Sequence, residues 1–335
     1  MKLLKLPYLA YDEIIKAMGY CEVLKLSTCS SRMYHNIRCV KLDGVLEVAA
    51  DKSSVWIDKW DKQNQIMHLK ILDTFEEGSF IMKIKMDKVD FECTWIENQI
   101  RIVRPSHIEV TVAIYRHVLN LIKFSKKIQL DFLIDQNEVD NFPVLEGVTA
   151  TAIREIPIDT TIVEAFCLKY PYQKSMILTP KLLGGLDQNS PILKVEEICF
   201  LKTEKLISTF LESFSGRVAF FSKARCRENP FIKFIRDWMT GSAHENLEVL
   251  DVSFDTGYFL FPHIILEEFD TERKEWDPTK RPESYEIDTK MAIKQKTINC
   301  SHYWDIERRC DGRLASFVVT SFQFRFFVWN QNCSN

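Results

Sequence analysis

The chain of 335 residues has an ordinary globular composition, 46% hydrophobic and 27% charged, which allows a large core and two or three modules. Its formal net charge is −3, so the overall charge does not favour binding to a nucleic acid or an anionic membrane. No run of about 18 uncharged apolar residues occurs, so we expect no membrane span. Lys5, Pro7 and Asp12 interrupt the first apolar run, so we expect no secretory signal.

The ten cysteines are scattered and include no Cys-x-x-Cys pair. In a chain expected to lack a secretory signal, such cysteines indicate reduced thiols and an intracellular protein.

The first forty residues predict a short helical module. Pro7 precedes the first helix, Asp12 is its predicted N-cap and Gly19 separates it from a second helix. About forty residues cannot bury this much apolar surface alone, so the module either packs on the rest of the chain or binds a partner. The apolar positions of the two helices are Ile14, Ile15, Met18, Val23, Leu24 and Leu26.

Short runs of strand character follow between residues 41 and 104, with turn signals at Gly44 and Glu77-Gly78. Within 81–86 two sets of residues alternate with a period of two: Ile81, Lys83 and Lys85 on one side and Met82, Ile84 and Met86 on the other. We predict an antiparallel meander that ends before Pro105.

From Pro105 onward, helical and strand patterns alternate. Ser106 to Glu109 has the spacing of a capping box, and another helix is predicted to start near Asp159 or Thr160. The clearest stretch, 193–254, predicts three strands whose starts lie about 23 and 29 residues apart, which is the period of a leucine-rich-repeat-like solenoid. These strands are 195–201, 217–221 and 247–254, with intervening helices that begin at Thr203 and Asn229-Pro230 and end at Gly216 and Gly241.

The last quarter of the chain begins with dense charge over 267–290. The favoured interpretation is a solvated loop, and a substrate-facing loop is the alternative. Asp311-Gly312 is a strong turn signal and predicts a hairpin near the end of the chain.

No catalytic motif emerges, so we expect a protein that is not an enzyme and that needs no cofactor or metal. Phosphate-binding glycine loops and a His-Glu-x-x-His pair are missing from the sequence. Cys300, His302 and Cys310 match no standard zinc spacing and are interpreted as structural. Cys226, between Arg225 and Arg227, is interpreted as a plain thiol in preference to a nucleophile.

Lys223, Arg225 and Arg227 form a basic cluster after a predicted strand. If the neighbouring strands are parallel, their carboxyl ends share one edge of the sheet, where ligands bind in open parallel sheets. The favoured interpretation is ordinary solubilising charge, and substrate binding at Lys223, Arg225 and Arg227, for example of an acidic segment or a phosphate, is the alternative.

The first forty residues resemble an F-box. The similar segments are Leu6-Pro7, the Ile14-Ile15-Lys16-x-Met18 helix, the Leu24-Lys25-Leu26-Ser27 run and Ser30-Ser31-Arg32. Residues 6–15 and 26–32 look more narrowly like the large nematode F-box family, with Met33-Tyr34 where other F-boxes have a tryptophan.

Two further segments look like the type-2 F-box-associated domain of the same nematode proteins. They are Ile232-x-x-Ile235-x-x-Trp238-x-x-Gly241 with Asn246-Leu247-Glu248, and Ile306-x-Arg308-Arg309-x-Asp311-Gly312-x-x-Ala315-Ser316 with the closing run 324–329.

The resemblance implies a substrate-choosing subunit of an SCF-type ubiquitin ligase. Its F-box (1–40) would bind the Skp adaptor and through it a cullin, and a β-rich region (41–104) would lead to an associated, solenoid-like α/β domain (105–335) that holds a protein substrate. A protein-interaction module with a decayed or ligase-independent F-box is the alternative. The residues expected to contact Skp are Leu4, Leu6, Pro7, Ile14, Ile15, Leu24 and Leu26.

Overall fold

The computed structural model describes residues 6–40, 46–50, 54–59, 65–72, 74–96, 99–103, 107–121, 128–132, 144, 148–153, 157–289, 291 and 296–329. The chain divides into two compact units, Met1–Ala152 and Ile153–Asn335. Helices precede strands at the N-terminus and the class is mixed α/β, as predicted. Among the described residues, no helix combines the length and the apolarity that a bilayer crossing requires.

The helices of the first unit are α1 (Tyr8–Ala17), α2 (Tyr20–Cys29), α3 (Ser31–Ile37) and α4 (His107–Leu121). Helix α1 begins directly after Pro7, whose carbonyl accepts a 3.0 Å hydrogen bond from the Tyr11 amide. The prediction of Asp12 as N-cap is therefore wrong. The preceding turn is already helical, and the Asp12 carboxylate lies 2.5 Å from the Lys16 ammonium one turn later. The capping box predicted before α4 begins outside the described residues.

The strands of the first unit form one sheet. They are β1 (Leu46–Ala50), β2 (Ser54–Lys59), β3 (Gln65–Leu72), β4 (Met82–Met86), β5 (Val89–Ile96), β6 (Gln99–Val103), β7 (Ile128–Phe132) and β8 (Val148–Ile153). Their order is β8-β7-β1-β2-β3-β6-β5-β4.

The predicted meander is antiparallel at four of its pairings, β1–β2, β2–β3, β4–β5 and β5–β6, and differs at the fifth, because β3 pairs in parallel with β6. The reason is the order of the strands. After β3 the chain crosses to the edge of the sheet and forms β4 there, and the two hairpins β4–β5 and β5–β6 then bring β6 back beside β3 in the same direction. Strand β1 also pairs in parallel with β7.

Strand β4 forms the edge of this sheet. Asp87 and Lys88 both have positive φ values, 43° and 71°, as a two-residue hairpin turn of the primed type requires. Ile84 and Met86 are buried and the two lysines between residues 82 and 86 are exposed, so the predicted alternation is confirmed. Exposed lysines on an edge strand discourage pairing with another chain.

The N-terminal helices pack on their own unit. Ser27 Oγ on α2 lies 2.8 Å from His117 Nε2 on α4, and both side chains are buried. The Tyr34 and His117 rings lie 4.9 Å apart, and the Lys25 ammonium lies 5.0 Å from the Trp95 ring centroid. Part of the apolar surface of the module is therefore covered by the rest of the unit.

The helices of the second unit are α5 (Thr160–Lys169), α6 (Ile207–Ser213), α7 (Glu228–Thr240) and α8 (Pro262–Glu268), with a short 3₁₀ helix at Pro191–Lys194. Its strands are β9 (Ile158–Asp159), β10 (Ser175–Leu178), β11 (Leu182–Leu183), β12 (Glu197–Phe200), β13 (Val218–Ala224), β14 (Val249–Phe254), β15 (Ser284–Glu286), β16 (Thr297–Asn299), β17 (Trp304–Glu307), β18 (Leu314–Val319) and β19 (Gln323–Val328).

Strands β10, β12, β13 and β14 lie side by side in parallel, which confirms the predicted strand order over 193–254. The predicted solenoid is not found in the described residues. Strand β19 pairs antiparallel with β14, followed by β18 and β17, so an antiparallel block occupies the edge on which a further repeat would stack. The short strands form two separate pairs, β9–β11 and β15–β16.

Helix boundaries were partly predictable. Asp159 caps α5 by accepting a hydrogen bond from the Thr161 amide, and Gly241 ends α7 with φ 73°, where a glycine costs least. The N-cap predicted at Asn229 is wrong, because Arg227 occupies that position and Glu228 is already helical. Thr203 does not cap α6, which begins at Ile207.

The helix-covered face of this sheet is dominated by phenylalanines. Phe210 on α6 lies 4.7 Å from Phe221, and Trp238 on α7 lies 5.1 Å from Phe326, both measured between ring centroids. Each fully buried phenylalanine stabilises the fold by roughly 1.5–3 kcal/mol. The fully buried phenylalanines on this face are Phe200, Phe210, Phe221, Phe231, Phe234, Phe317, Phe324 and Phe326.

The opposite face is covered by described residues of the segment 281–303, which contains β15 and β16 and which we call the covering segment. The Tyr285 ring stacks on Phe327 at 4.9 Å. A buried ion pair joins this covering segment to the sheet: the Arg281 guanidinium donates to both carboxylate oxygens of Asp305, at 2.9 and 3.0 Å. Ser316 donates to the same carboxylate and accepts from the Trp329 indole. The charged 267–290 segment is thus anchored in the core at Arg281, which is 2% exposed.

Asp305→Asn should destabilise the second unit by about 3–5 kcal/mol, because the variant leaves the buried Arg281 charge without a counter-ion. Urea unfolding followed by tryptophan fluorescence measures the loss. The matched control is Glu307→Gln on the same strand, whose carboxylate makes exposed 3.3 Å pairs with Lys274 and Lys280. This control should cost less than about 1 kcal/mol, and equal losses would contradict the assignment.

His117 should make the first unit sensitive to acid. Burial lowers the pKa of His117 from 6.5 to about 4. Between these values the unfolded chain binds a proton that the folded chain does not. The free energy of unfolding is therefore at its highest above pH 6.5 and decreases as the pH drops towards 4. We expect a loss of about 2 kcal/mol between pH 7.5 and 5.

Hydrogen exchange of the α2 and α4 amides at the two pH values measures this effect. His117→Gln should remove it, and the variant of the exposed His35 of α3, His35→Gln, should retain it. An unchanged pH dependence in His117→Gln would refute the assignment.

Candidate functional site

The residues predicted to contact Skp fall into different environments. Ile15 is fully buried and Leu24 is 4% exposed, both within the core of the first unit. Leu6, Ile14 and Leu26 are half-buried, and Pro7 is exposed. The seventh, Leu4, lies outside the described residues. Those with accessible apolar surface are therefore Leu6, Pro7, Ile14 and Leu26.

The exposed apolar side chains at the start of α1 were missed by the sequence prediction. Tyr8 is 58% exposed and Leu9 is 76% exposed, although they directly follow Leu6-Pro7. The sequence does show an apolar stretch that begins at Leu6. Its residues could not be assigned to the exposed or the buried face of a helix, because the sequence did not fix the start of α1 at Tyr8. We call Leu6, Pro7, Tyr8 and Leu9 the N-terminal apolar surface.

The predicted basic cluster lies at the carboxyl ends of the parallel strands. The loop after β12 is joined to the end of β13 by the Glu204 amide, which donates to the Lys223 carbonyl at 3.1 Å. It is joined to the loop after β13 by the Arg225 amide, which donates to the Glu204 carbonyl at 2.9 Å. The Asp255 amide after β14 donates to the Ala224 carbonyl at 3.1 Å. Three consecutive loops thus form one rim, as the prediction of parallel strands requires.

The three basic residues of this cluster have different roles. Arg225 pairs with Asp255 at 2.5 Å and lies 5.6 Å from the centroid of the Tyr258 ring. The hydrogen bond from Arg225 lowers the pKa of Asp255, so this pair ties two loops together. Lys223, with φ 56°, and Arg227 are exposed. Only these two carry charge that a ligand could use directly.

Exposed aromatic side chains occupy the same rim and were not predicted. Tyr258, Phe259 and Phe261, in the loop after β14, are 39%, 48% and 40% exposed, and Phe322, in the β18–β19 turn, is 70% exposed. The Leu260 amide donates to the Ser321 carbonyl at 3.0 Å, which holds the turn against the loop. The sequence pattern could not reveal this cluster, since it joins segments about sixty residues apart.

The described residues contain no group of three or more His, Cys, Asp or Glu side chains placed to hold a metal ion. Cys300 is buried and its thiol donates to the Ile298 carbonyl at 3.4 Å, whereas Cys310 is exposed. Burial, with the nearby Glu228 carboxylate, raises the pKa of Cys226 to about 12. A thiol with such a pKa is a poor nucleophile at neutral pH.

The two segments that resemble the F-box-associated domain lie against each other in the second unit. The Arg308 guanidinium lies 5.5 Å from the Trp238 ring centroid, and the Arg309 amide donates to the Met239 carbonyl at 2.8 Å. A Cβ on Gly241 would come within 2.6 Å of the Cys310 sulfur. These residues therefore stabilise the fold and do not line the rim.

The chain is similar to a nematode protein. It is 24% identical over 369 residues to the uncharacterized protein F59B2.9 of Caenorhabditis elegans, and the match covers 98% of this chain and 78% of that protein. No protein-family model matches the chain, and no solved structure matches it. The similarity extends over both units, and it assigns neither of them an activity.

Cys226 should react slowly with iodoacetamide at pH 7.5, because its raised pKa leaves almost no thiolate. The exposed Cys310 of the same unit is the internal reference. Mass spectrometry of peptides after timed labelling should give a rate for Cys226 at least about tenfold below that for Cys310. Faster labelling of Cys226 would reopen the possibility of a catalytic cysteine.

Proposed function

We propose that the chain is a non-catalytic, intracellular adaptor that binds one protein through its N-terminal apolar surface and another through the rim of its second unit. In the specific form, the first partner is the Skp adaptor of an SCF-type ubiquitin ligase, which links the chain to a cullin, and the second is a protein substrate. The observation that carries the proposal is the exposure of Tyr8 and Leu9 on a helix whose opposite side is packed.

Support for the first surface comes from burial. Tyr11 and Ile15 anchor α1 in the core at 5% and 0% exposure, so the helix needs no partner in order to stay in place. Leaving Leu9 and Tyr8 in water is nevertheless unfavourable, and adjacent exposed apolar side chains mark interaction sites. Large apolar side chains supply most of the binding energy of such interfaces.

Support for the second surface comes from its position and composition. The rim lies where parallel strands end, the edge at which open sheets bind ligands. An adaptor needs no reacting groups there, because it accelerates transfer by raising the effective concentration of one protein near another. The high pKa of Cys226 agrees with that role.

A second candidate is a protein-interaction module whose F-box is decayed or works outside a ligase. One observation favours it: Ser27 and Lys25 of α2 contact His117 and Trp95 of the same unit, so α2 is partly occupied. Under this alternative the rim still binds a protein, and Skp does not bind the chain.

Leu9→Asp combined with Tyr8→Asp should abolish co-purification with Skp, lowering recovery at least about tenfold, because two charges would enter an apolar interface. Both side chains are exposed, so the fold should survive, which circular dichroism checks. The matched control is Leu168→Asp on α5, an exposed helical leucine of the second unit. This control should leave Skp recovery unchanged.

Affinity purification from nematode cells with the proteasome inhibited separates the two candidates. Recovery of Skp and a cullin with the wild type, and their loss in the double variant, supports the ligase role. A wild-type chain that recovers neither protein would leave the ligase-independent module as the function.

A further inference from the structure

The rim of the second unit combines two kinds of exposed side chain. Lys205, Lys223 and Arg227 are exposed cations, and Phe259, Phe261 and Phe322 are the phenylalanines among the exposed aromatic residues, which also include Tyr258. We call these three cations and three phenylalanines the rim surface. The two kinds meet at Arg225, whose guanidinium lies 5.6 Å from the Tyr258 ring centroid.

The cations at this edge, Lys181, Lys205, Lys223, Arg225 and Arg227, outnumber the neighbouring acidic groups Glu204, Asp255 and the buried Glu228. The Glu204 carboxylate pairs with Lys181 at 2.8 Å and the Asp255 carboxylate pairs with Arg225. Within the part of the chain that the structure describes, Lys205, Lys223 and Arg227 form no salt bridge. Although the whole chain has a net charge of −3, this edge is therefore locally positive and attracts negative charge.

The aromatic side chains are held in place while exposed. The Phe259 and Phe261 rings pack edge to face at 5.4 Å. The Phe261 amide donates to the buried Glu228 carboxylate at 2.8 Å, and the Phe254 amide donates to the Phe322 carbonyl at 3.0 Å. Fixed aromatic rings lose little conformational entropy on binding and supply a large apolar contact.

We propose that the rim surface binds an acidic, unphosphorylated linear peptide segment that carries a bulky apolar side chain next to its carboxylates. This inference rests on the proposed function, since it names the class of protein segment that the second unit would hold. The carboxylates would pair with the lysines and Arg227, and the apolar side chain would pack on Phe259 and Phe322.

The arrangement of charge favours carboxylates over a phosphate group. A phosphate is best bound by several converging donors, above all by bidentate guanidinium groups. Arg225 is already paired with Asp255, and the remaining cations are spread over two loops. Spread cations match several separate carboxylates along a peptide.

The same arrangement disfavours a membrane or a nucleic acid. Within the described residues the rim surface offers three cations without a salt bridge, Lys205, Lys223 and Arg227. Polybasic sites for anionic lipids use about 4–8 Lys and Arg side chains, and nucleic-acid binding relies on many phosphate contacts. The edge-to-face packing of Phe259 on Phe261 also differs from the separate open ring faces on which bases stack.

Selection from a phage library of random 12-residue peptides on the purified full-length chain tests the inference. We expect the selected peptides to be enriched at least about twofold in Asp and Glu, with Phe, Leu or Trp beside them, relative to the unselected library. The best peptide is then synthesised and its affinity measured by fluorescence anisotropy. A selection with no acidic enrichment overturns the inference.

Two double variants and one control assign the binding to the rim surface. Lys223→Glu with Arg227→Glu, and separately Phe259→Ser with Phe322→Ser, should each weaken binding of the synthetic peptide at least about tenfold. Lys194→Glu with Lys296→Glu changes the net charge equally at exposed positions away from the rim and should leave binding unchanged. Equal losses in all three variants would place the peptide elsewhere and overturn the inference.

Vesicles containing phosphatidylserine and a single-stranded DNA oligonucleotide are tested in parallel. If either binds more tightly than the peptide and loses binding in the rim variants, the inference is overturned in favour of that class.

Failure of this inference can be distinguished from failure of the ligase role. If the chain selects acidic peptides but does not recover Skp, only the ligase role is refuted. If the chain recovers Skp but selects no acidic peptides, only this inference is refuted.

Discussion

The arrangement of the second unit depends on the carboxylate of Asp305. It accepts hydrogen bonds from Arg281 and Ser316, and Ser316 accepts one from Trp329, so one buried group joins the covering segment to two strands of the sheet. Burying two charges costs more than their attraction returns unless the geometry and hydrogen bonds are complete. Here both carboxylate oxygens accept hydrogen bonds, and the pair fixes the placement of the covering segment at Arg281.

That placement determines which end of the sheet stays accessible. The covering segment packs on Val218 and Val249, at the beginning of β13 and β14, and on Phe327 at the end of β19. The loops at the opposite end of the parallel strands therefore carry the exposed cations and aromatic rings. In the first unit a similar division applies to α1, whose buried side positions the exposed Tyr8 and Leu9. In each unit, buried side chains thus hold the elements that carry these exposed side chains.

Much of the local structure was predictable because local rules decide it. Asp159 caps α5, Gly241 ends α7 in the left-handed conformation, and Asp311-Gly312 forms the turn between β17 and β18. Predictions failed where two local signals competed or where partners were distant. Asp12 had the chemistry of a cap, but the turn before it was already helical, and the parallel pairing of β3 with β6 depends on a crossing that no residue pattern specifies.

The sequence by itself determined the mixed α/β class, the order of the elements over 193–254 and the placement of Arg227 after a strand, because periodicity and turn chemistry act over a few residues; Lys223, predicted to follow that strand, lies within β13. Only the tertiary structure decided that Arg281 is buried, that α2 rests against His117, and that Phe322 joins the loop after β14 at one rim. The physical reason is that burial and charge pairing depend on which segments meet in space. The hydrogen bonds that join these segments connect residues 24 to 90 positions apart in the sequence.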